Sequence, residues 1–207
     1  VALLKEFTEL GGEVRFSADI TGLREDHDAI EVHVGNERIR TSFLVSCAGL
    51  MADRVLAMLG IKADFRIVPF RGEYYSLANN YPRQINYLVY PVPDPSLPFL
   101  GVHFTPQVSG EVTIGPSAIL AFAREGYSWK NINVKDCLEN LGSSALWRLV
   151  ARHFKSTCRE FRDAMFKSAY LSQINRYFQD ISTSQIQKTH AGVRVQALGP
   201  DGRLIED

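Results

Sequence analysis

Three short stretches of this chain place polar side chains where they could do chemistry. In Ala191-Gly192-Val193-Arg194-Val195-Gln196, Arg194 alternates with two valines. On a strand its guanidinium therefore projects from the face opposite theirs, together with His190 and Gln196. A guanidinium held there binds a carboxylate through two parallel hydrogen bonds, although the same pattern suits a solvent-facing strand side. In Gly101-Val102-His103-Phe104-Thr105, Val102 and Phe104 point one way, so His103 and Thr105 point the other. A histidine lining a cavity serves as a general base, and a strand histidine serves structure equally well. In Pro69-Phe70-Arg71-Gly72-Glu73-Tyr74, an arginine beside a glycine presents a guanidinium where backbone nears a ligand, or simply starts a strand at the surface. His27, His33 and His153 fall in a polar loop, a hairpin and a helix, and read as structural or surface residues.

These stretches need strands to hold them, and the pattern supplies them. Residues 13–47 read as β: Val14-Arg15-Phe16, Ile20 to Arg24, Ile30 to Val34, a Gly35-Asn36 turn with its return arm, then the apolar run Phe43-Leu44-Val45. That run suits a strand buried on both faces of a parallel sheet. Ala48-Gly49 turns the chain into a helix with Ala52, Val55, Leu56 and Leu59 on one face and Gly60 as its stop. A turn free of bulky side chains lets backbone approach a ligand, and equally serves packing. Residues 68–116 are β-rich and include Tyr87-Leu88-Val89-Tyr90, with long antiparallel strands expected. Residues 133–178 are helical, and residues 186–198 return to an extended stretch. The apolar helical stripes, such as Val134-Leu138-Leu141 and Phe161-Met165, are expected to form core. The fold class is mixed α/β or α+β, with an antiparallel or mixed sheet covered by helices. Boundaries are expected at residues 1–62, 63–190 and 191–207.

Composition narrows the classes. The 207 residues are 45% hydrophobic and 22% charged, with 23 basic and 23 acidic side chains. Such a chain buries a core, and its neutrality gives no support for nucleic-acid binding or adhesion to an acidic membrane. No apolar run approaches the ~18 residues of a membrane span. Cys47, Cys137 and Cys158 lack CxxC spacing and read as reduced thiols of an intracellular protein, with no metal site. GxGxxG, Walker, GxSxG and HExxH motifs are absent from the sequence. Leu3, Phe7 and Leu10 continue a helix face from the first residue, and a strand-like start closes the chain, so it reads as a segment of something larger.

Taken in order, several segments resemble the FAD-dependent oxidoreductases of the D-amino-acid oxidase type, and in particular the branch that oxidises L-2-hydroxyglutarate to 2-oxoglutarate. They are Val45-Ser46-Cys47-Ala48-Gly49-Leu50-Met51-Ala52-Asp53, Ile67 to Tyr75, Tyr90-Pro91-Val92-Pro93-Asp94-Pro95, Pro98 to His103, Thr113 to Ala118, and Ala191 to Ala197 running into Pro200-Asp201-Gly202-Arg203-Leu204. The resemblance implies part of an FAD lobe (1–62), a substrate lobe (63–190) and the start of a return to the FAD lobe (191–207). It implies Val14, Ala48 and Gly49 near the cofactor, with Pro200, Asp201 and Gly202 leading towards the flavin ring. Family members begin with a glycine-rich pyrophosphate loop that this chain lacks, so the chain alone is expected to bind FAD weakly or not at all and to be inactive.

The implied substrate is a small dicarboxylic 2-hydroxy acid. Its hydroxyl is a poor acid, so a positioned base is needed. His103 is the candidate and His190 the reserve. Arg194 is the candidate for the C1 carboxylate, and Arg71, Tyr90 or Thr105 for the distal one. Dioxygen or a quinone would accept the electrons. A cytoplasmic location follows, at the periphery of the inner membrane if the acceptor is a quinone. The competing expectations are an amine or amino-acid oxidase of the glycine or sarcosine oxidase kind, and a non-catalytic binding module.

Overall fold

The computed structural model describes residues 2–78, 85–92, 101–179 and 181–205. The stretches Pro93-Asp94-Pro95 and Pro98-Phe99-Leu100 lie outside the described residues. The chain divides into two compact units, Val1–Ala48 with Arg54–Ala63, and Gly49–Asp53 with Asp64–Asp207.

In the first unit, helix α1 (Ala2–Glu9) ends at Gly11, whose φ of 90° a side-chain-bearing residue would rarely adopt. Strands β1 (Ile20–Glu25), β2 (Ile30–Val34) and β3 (Glu37–Thr41) form an antiparallel meander, with Leu23 and Val32 paired and buried at its centre. Two expected strands do not form. Val14-Arg15-Phe16 is irregular, tied down by Arg15, which donates to Glu13 and, at 2.9 Å, to both carboxylate oxygens of Glu37. Phe43-Leu44-Val45 is also irregular, with Phe43 86% exposed. A doubly buried strand needs ladder partners, and none of the described strands lies beside it. Helix α2 (Ala52–Met58) follows, and Gly60 (φ 72°) ends it as expected.

The second unit is built on two long partners. Strand β4 (Arg66–Leu77) pairs along its length with β8 (Ile186–Leu198), from Arg66↔Leu198 to Leu77↔Ile186. On the other edge of β4 lie β6 (Val112–Gly115), with β5 (His103–Pro106) beyond it, and the short β7 (Ile119–Leu120). The expected strand around Tyr87–Tyr90 reduces to one bridge, Val89 to Phe104. Helices α3 (Val134–Leu141), α4 (Ser144–Arg152), α5 (Phe154–Met165) and α6 (Lys167–Ile174) connect the sheet to β8. Asn133 and Ser143 cap α3 and α4, accepting from the backbone N–H of Asp136 (3.1 Å) and Leu146 (3.2 Å).

Two apolar cores hold this unit. Tyr75, Phe104 and Ile114 form one row across three strands and pack with Tyr170, Leu171 and Ile174 of α6. Val68, Phe70 and Leu198 pack against Leu146 and Leu149 of α4. Each fully buried aliphatic or aromatic side chain contributes about 2–3 kcal/mol of transfer free energy. Two helical stripes depart from expectation. Val134, Leu138 and Leu141 of α3 are exposed while Asp136 and Asn140 are buried. Likewise Phe161 and Met165 of α5 are exposed while Asp163 is buried. In both helices the polar side meets the protein, where Asp136 accepts from the Arg124 N–H and Asp163 accepts from Arg162 and Gln173.

Candidate active site

Strand register sorts the expected site residues onto two faces. Directly opposite residues in an antiparallel pair share a face, and neighbours along a strand alternate. Phe104, Ile114 and Tyr75 face α6, so His103, Gly115 and Tyr74 project from the other side. Consistently, a Cβ on Gly115 would lie 2.7 Å from the Tyr74 ring. Phe70 and Gly72 alternate with Arg71 on β4 and so share the face of Tyr74. Arg194 stands opposite Phe70 and joins them. Arg194, His103 and Thr105 thus occupy one face of the sheet, and Arg71 and Glu73 the other.

His190 lies on the first face by alternation with Gly192 and Arg194. Glu73 pairs with Ala191 but Tyr75 pairs with Lys188, so β8 carries one extra residue at Thr189-His190. The His190 ring stacks on Tyr74 with centroids 4.9 Å apart and planes 19° from parallel. Its Nδ1 lies 3.2 Å from Thr189 Oγ1. When Nδ1 carries the proton and donates to this hydroxyl, Nε2 is left as the acceptor. Between His190 and Arg194 sits Gly192, where an added Cβ would meet nothing within 4 Å. Two residues of strand separate Gly192 from each neighbour, roughly 7 Å on either side. Arg194 is half-buried and makes no ion pair among the described residues. The result is an open floor with an imidazole at one end and a guanidinium at the other.

His103 is half-buried, with Nδ1 3.2 Å from the Gly101 carbonyl. It lies three strands across and about four residues along from Arg194, roughly 20 Å in the plane of the sheet. Thr105 and the exposed Tyr90 lie at the same far edge. A five-carbon diacid spans roughly 6 Å, so neither shares a ligand seated on Gly192.

Arg71 is fully buried on the opposite face. Its Nε lies 3.0 Å from Glu73 Oε1 in a close ion pair without hydrogen-bond alignment, and its Cζ sits 4.3 Å above the Trp129 ring centre. Lys188 Nζ reaches Glu73 Oε2 at 2.5 Å. Burial pulls the Arg71 guanidinium below its ordinary pKa, against the attraction of Glu73, and burial followed by the Glu73 charge pushes the Tyr75 hydroxyl up. This enclosure gives a carboxylate arriving from solvent no approach, contrary to the expectation that Arg71 binds the substrate. Sequence reasoning also missed Gly192 as the floor and Tyr74 as the support of His190, because the pairing of β4 with β8 has no sequence signature.

The residues expected near a flavin divide similarly. Gly49 is exposed with φ 50°, and a Cβ added there would meet only Val195 Cγ2, at 3.9 Å, so the Ala48-Gly49 turn offers bare backbone that fits a cofactor. Val14 lies in the irregular segment of the first unit. The Pro200-Asp201-Gly202 turn does not fit. Arg148 donates to the Pro200 carbonyl, Arg152 donates to the Asp201 and Gly202 carbonyls, and a Cβ on Gly202 would lie 2.6 Å from the Ala145 carbonyl oxygen. That glycine serves packing on α4.

A family model described as "DAO: FAD dependent oxidoreductase" matches residues 1–207. The chain belongs to this family. It is 45% identical over 208 residues to the L-2-hydroxyglutarate dehydrogenase of Escherichia coli K12, covering 100% of this chain and 49% of that protein. It is 38% identical to the mitochondrial L-2-hydroxyglutarate dehydrogenase of Caenorhabditis elegans (98% and 48% covered) and 35% identical to that of Homo sapiens (100% and 47%). The chain thus spans about half the length of the curated relatives it matches. Its fold is similar to L-alpha-glycerophosphate oxidase of Mycoplasma pneumoniae (TM-score 0.62, 16% identity, 92% of this chain and 41% of that one). It is also similar to glycine oxidase of Geobacillus kaustophilus (TM-score 0.57, 13% identity, 98% and 42%).

Proposed function

We propose that the full-length protein oxidises L-2-hydroxyglutarate to 2-oxoglutarate, with Arg194 and His190 as the working pair. The observation that carries this reading is the open Gly192 floor between them. Arg194 donates two hydrogen bonds to the C1 carboxylate and so fixes the orientation of C2. His190, held by its stack on Tyr74, accepts the hydroxyl proton at Nε2. Ala48 and Gly49 would lie against FAD, which when bound supplies the acceptor for the hydride from C2. The names of the relatives support the choice of substrate. An amino acid whose amine binds neutral would need no base beside Arg194.

The test is a substrate panel on the purified full-length protein under anaerobic conditions. L-2-hydroxyglutarate is expected to bleach the flavin absorbance, while glycine, sarcosine and proline leave it intact. Bleaching by one of these amines alone would favour the amine-oxidase reading, and a colourless protein would favour a non-catalytic module.

A further inference from the structure

The turn that offers bare backbone to a cofactor does not hold its own shape. Gly49–Met51 is a single helical turn of 3 residues, too short to sustain itself, and it opens on Gly49 at φ 50°. Arg124 imposes its geometry from outside. Nη1 of Arg124 donates to the Leu50 carbonyl at 2.5 Å and to Asp53 Oδ1, and Nη2 donates to Asp53 Oδ2 at 2.8 Å. Asp53 Oδ2 also accepts from the Ile67 N–H at 3.1 Å, which ties Asp53 to the start of β4. Gly49, Leu50, Asp53, Ile67 and Arg124 all belong to the second unit.

Arg124 is itself fixed. It is 4% exposed, in the connection between β7 and α3. Its backbone N–H donates to Asp136 Oδ2 at 2.7 Å, in the first turn of α3, and its Nη2 lies 3.5 Å from Glu139 Oε2. The buried cation is therefore paired, and its planar fork is held in one orientation. The bond to a carbonyl distinguishes this contact from a plain ion pair. An ion pair needs only the Asp53 carboxylate, whereas the added bond to Leu50 orients the backbone next to Gly49. A lysine ammonium is a point charge on a flexible stem and cannot reproduce a grip on carboxylate and carbonyl together.

We propose that Arg124 is a positioning residue for the cofactor: acting through Leu50 and Asp53, it holds the Ala48-Gly49 turn in the form that receives FAD, an inference that rests on the placement of that turn against FAD. The test is the rate of FAD release from the full-length holoprotein on dilution, followed by the recovery of flavin fluorescence, beside the melting curve of each variant. Arg124→Lys and Asp53→Asn should each speed release about tenfold or more. Asp163→Asn alters a buried carboxylate of α5 that serves Arg162 and Gln173, away from the turn. It should lower Tm while release stays within about threefold of the parent. Gly49→Asn tolerates a positive φ and adds a side chain to the bare backbone, so it should also speed release.

The inference is overturned if Arg124→Lys and Asp53→Asn release FAD at the parent's rate, or if Asp163→Asn speeds release as much as they do. Fast release from Gly49→Asn with no change in Arg124→Lys would keep FAD on the turn and remove only the role of Arg124. No change in Gly49→Asn would overturn the placement of FAD on the turn, and the role of Arg124 with it. Should Arg124→Lys fail to fold, Asp53→Asn decides in its place.

Discussion

His190 stacks on Tyr74 at 4.9 Å, and the pairing of Glu73 with Ala191 already sets the two on one face of the sheet. Continued one-to-one from that pair, the ladder places His190 opposite Tyr74. The extra residue of β8 shifts the register of Ile186 to Lys188 and leaves the imidazole on the face that Arg194 and Gly192 occupy. Plain alternation along β8 thus sets His190 on the side of the guanidinium.

The first expectation concerns that choice. In the full-length enzyme, His190→Ala should lower kcat by about 10²–10⁴-fold with little change in KM, the usual range for loss of a general base. His103→Ala, far along the same face, should leave kcat within about threefold. Steady-state kinetics on the two variants check the ordering, and a reversed order would move the base to His103.

Gly192 is open on the side of the site, so Gly192→Leu should fold normally while filling the floor. Its stability should stay within about 0.5–1 kcal/mol of the parent, and its KM should rise about tenfold or more. Thermal melts and kinetics separate the two effects. An unchanged KM would show that the ligand sits elsewhere.

Arg71 and Glu73 should report on stability. Removing one partner leaves a buried charge exposed to no solvent, so Arg71→Ala should cost about 3–5 kcal/mol. The double change Arg71→Met/Glu73→Gln should cost less than Arg71→Ala alone, which denaturant titration measures directly. Equal losses would argue that packing on Trp129 dominates over the ion pair.

Glu160 supplies a pH dependence. Burial raises its carboxyl pKa, only partly offset by the Ala118 N–H. The folded state therefore holds that proton more tightly than the unfolded chain, so stability falls as pH rises from the unfolded carboxyl pKa, about 4.3, through the raised folded one. Glu160→Gln keeps the acceptor for Ala118 and removes the charge. Its Tm should exceed the parent's at neutral pH, with the gain shrinking as the medium turns acidic. A gain independent of pH would refute this cause.

Much of the frame was legible in the sequence because it rests on local pattern. The alternation in residues 186–198 matches the extent of β8, and Gly35-Asn36 with its flanking strands forms the expected hairpin. What failed depended on partners that pattern cannot name. Phe43-Leu44-Val45 reads as a buried strand only if ladders exist on both sides. Periodicity finds the stripe of α5 but not which side faces in, because Glu160 and Asp163 find donors on other elements, the Ala118 N–H and Gln173. The site was half legible: alternation alone puts Arg194 and His190 on one face, whereas Arg71 lies buried across the sheet and the stack of His190 on Tyr74 depends on which strands pair.

The most direct measurement is the affinity of the oxidised full-length protein for 2-oxoglutarate, followed by perturbation of the flavin spectrum, in the parent, Arg194→Ala and Arg71→Ala. Loss of a charge-assisted, two-bond contact should raise Kd about hundredfold in Arg194→Ala, whereas Arg71→Ala, assayed well below its melting point, should stay within about threefold. Unchanged affinity in Arg194→Ala, or the larger loss in Arg71→Ala, would contradict the placement of the substrate between His190 and Arg194.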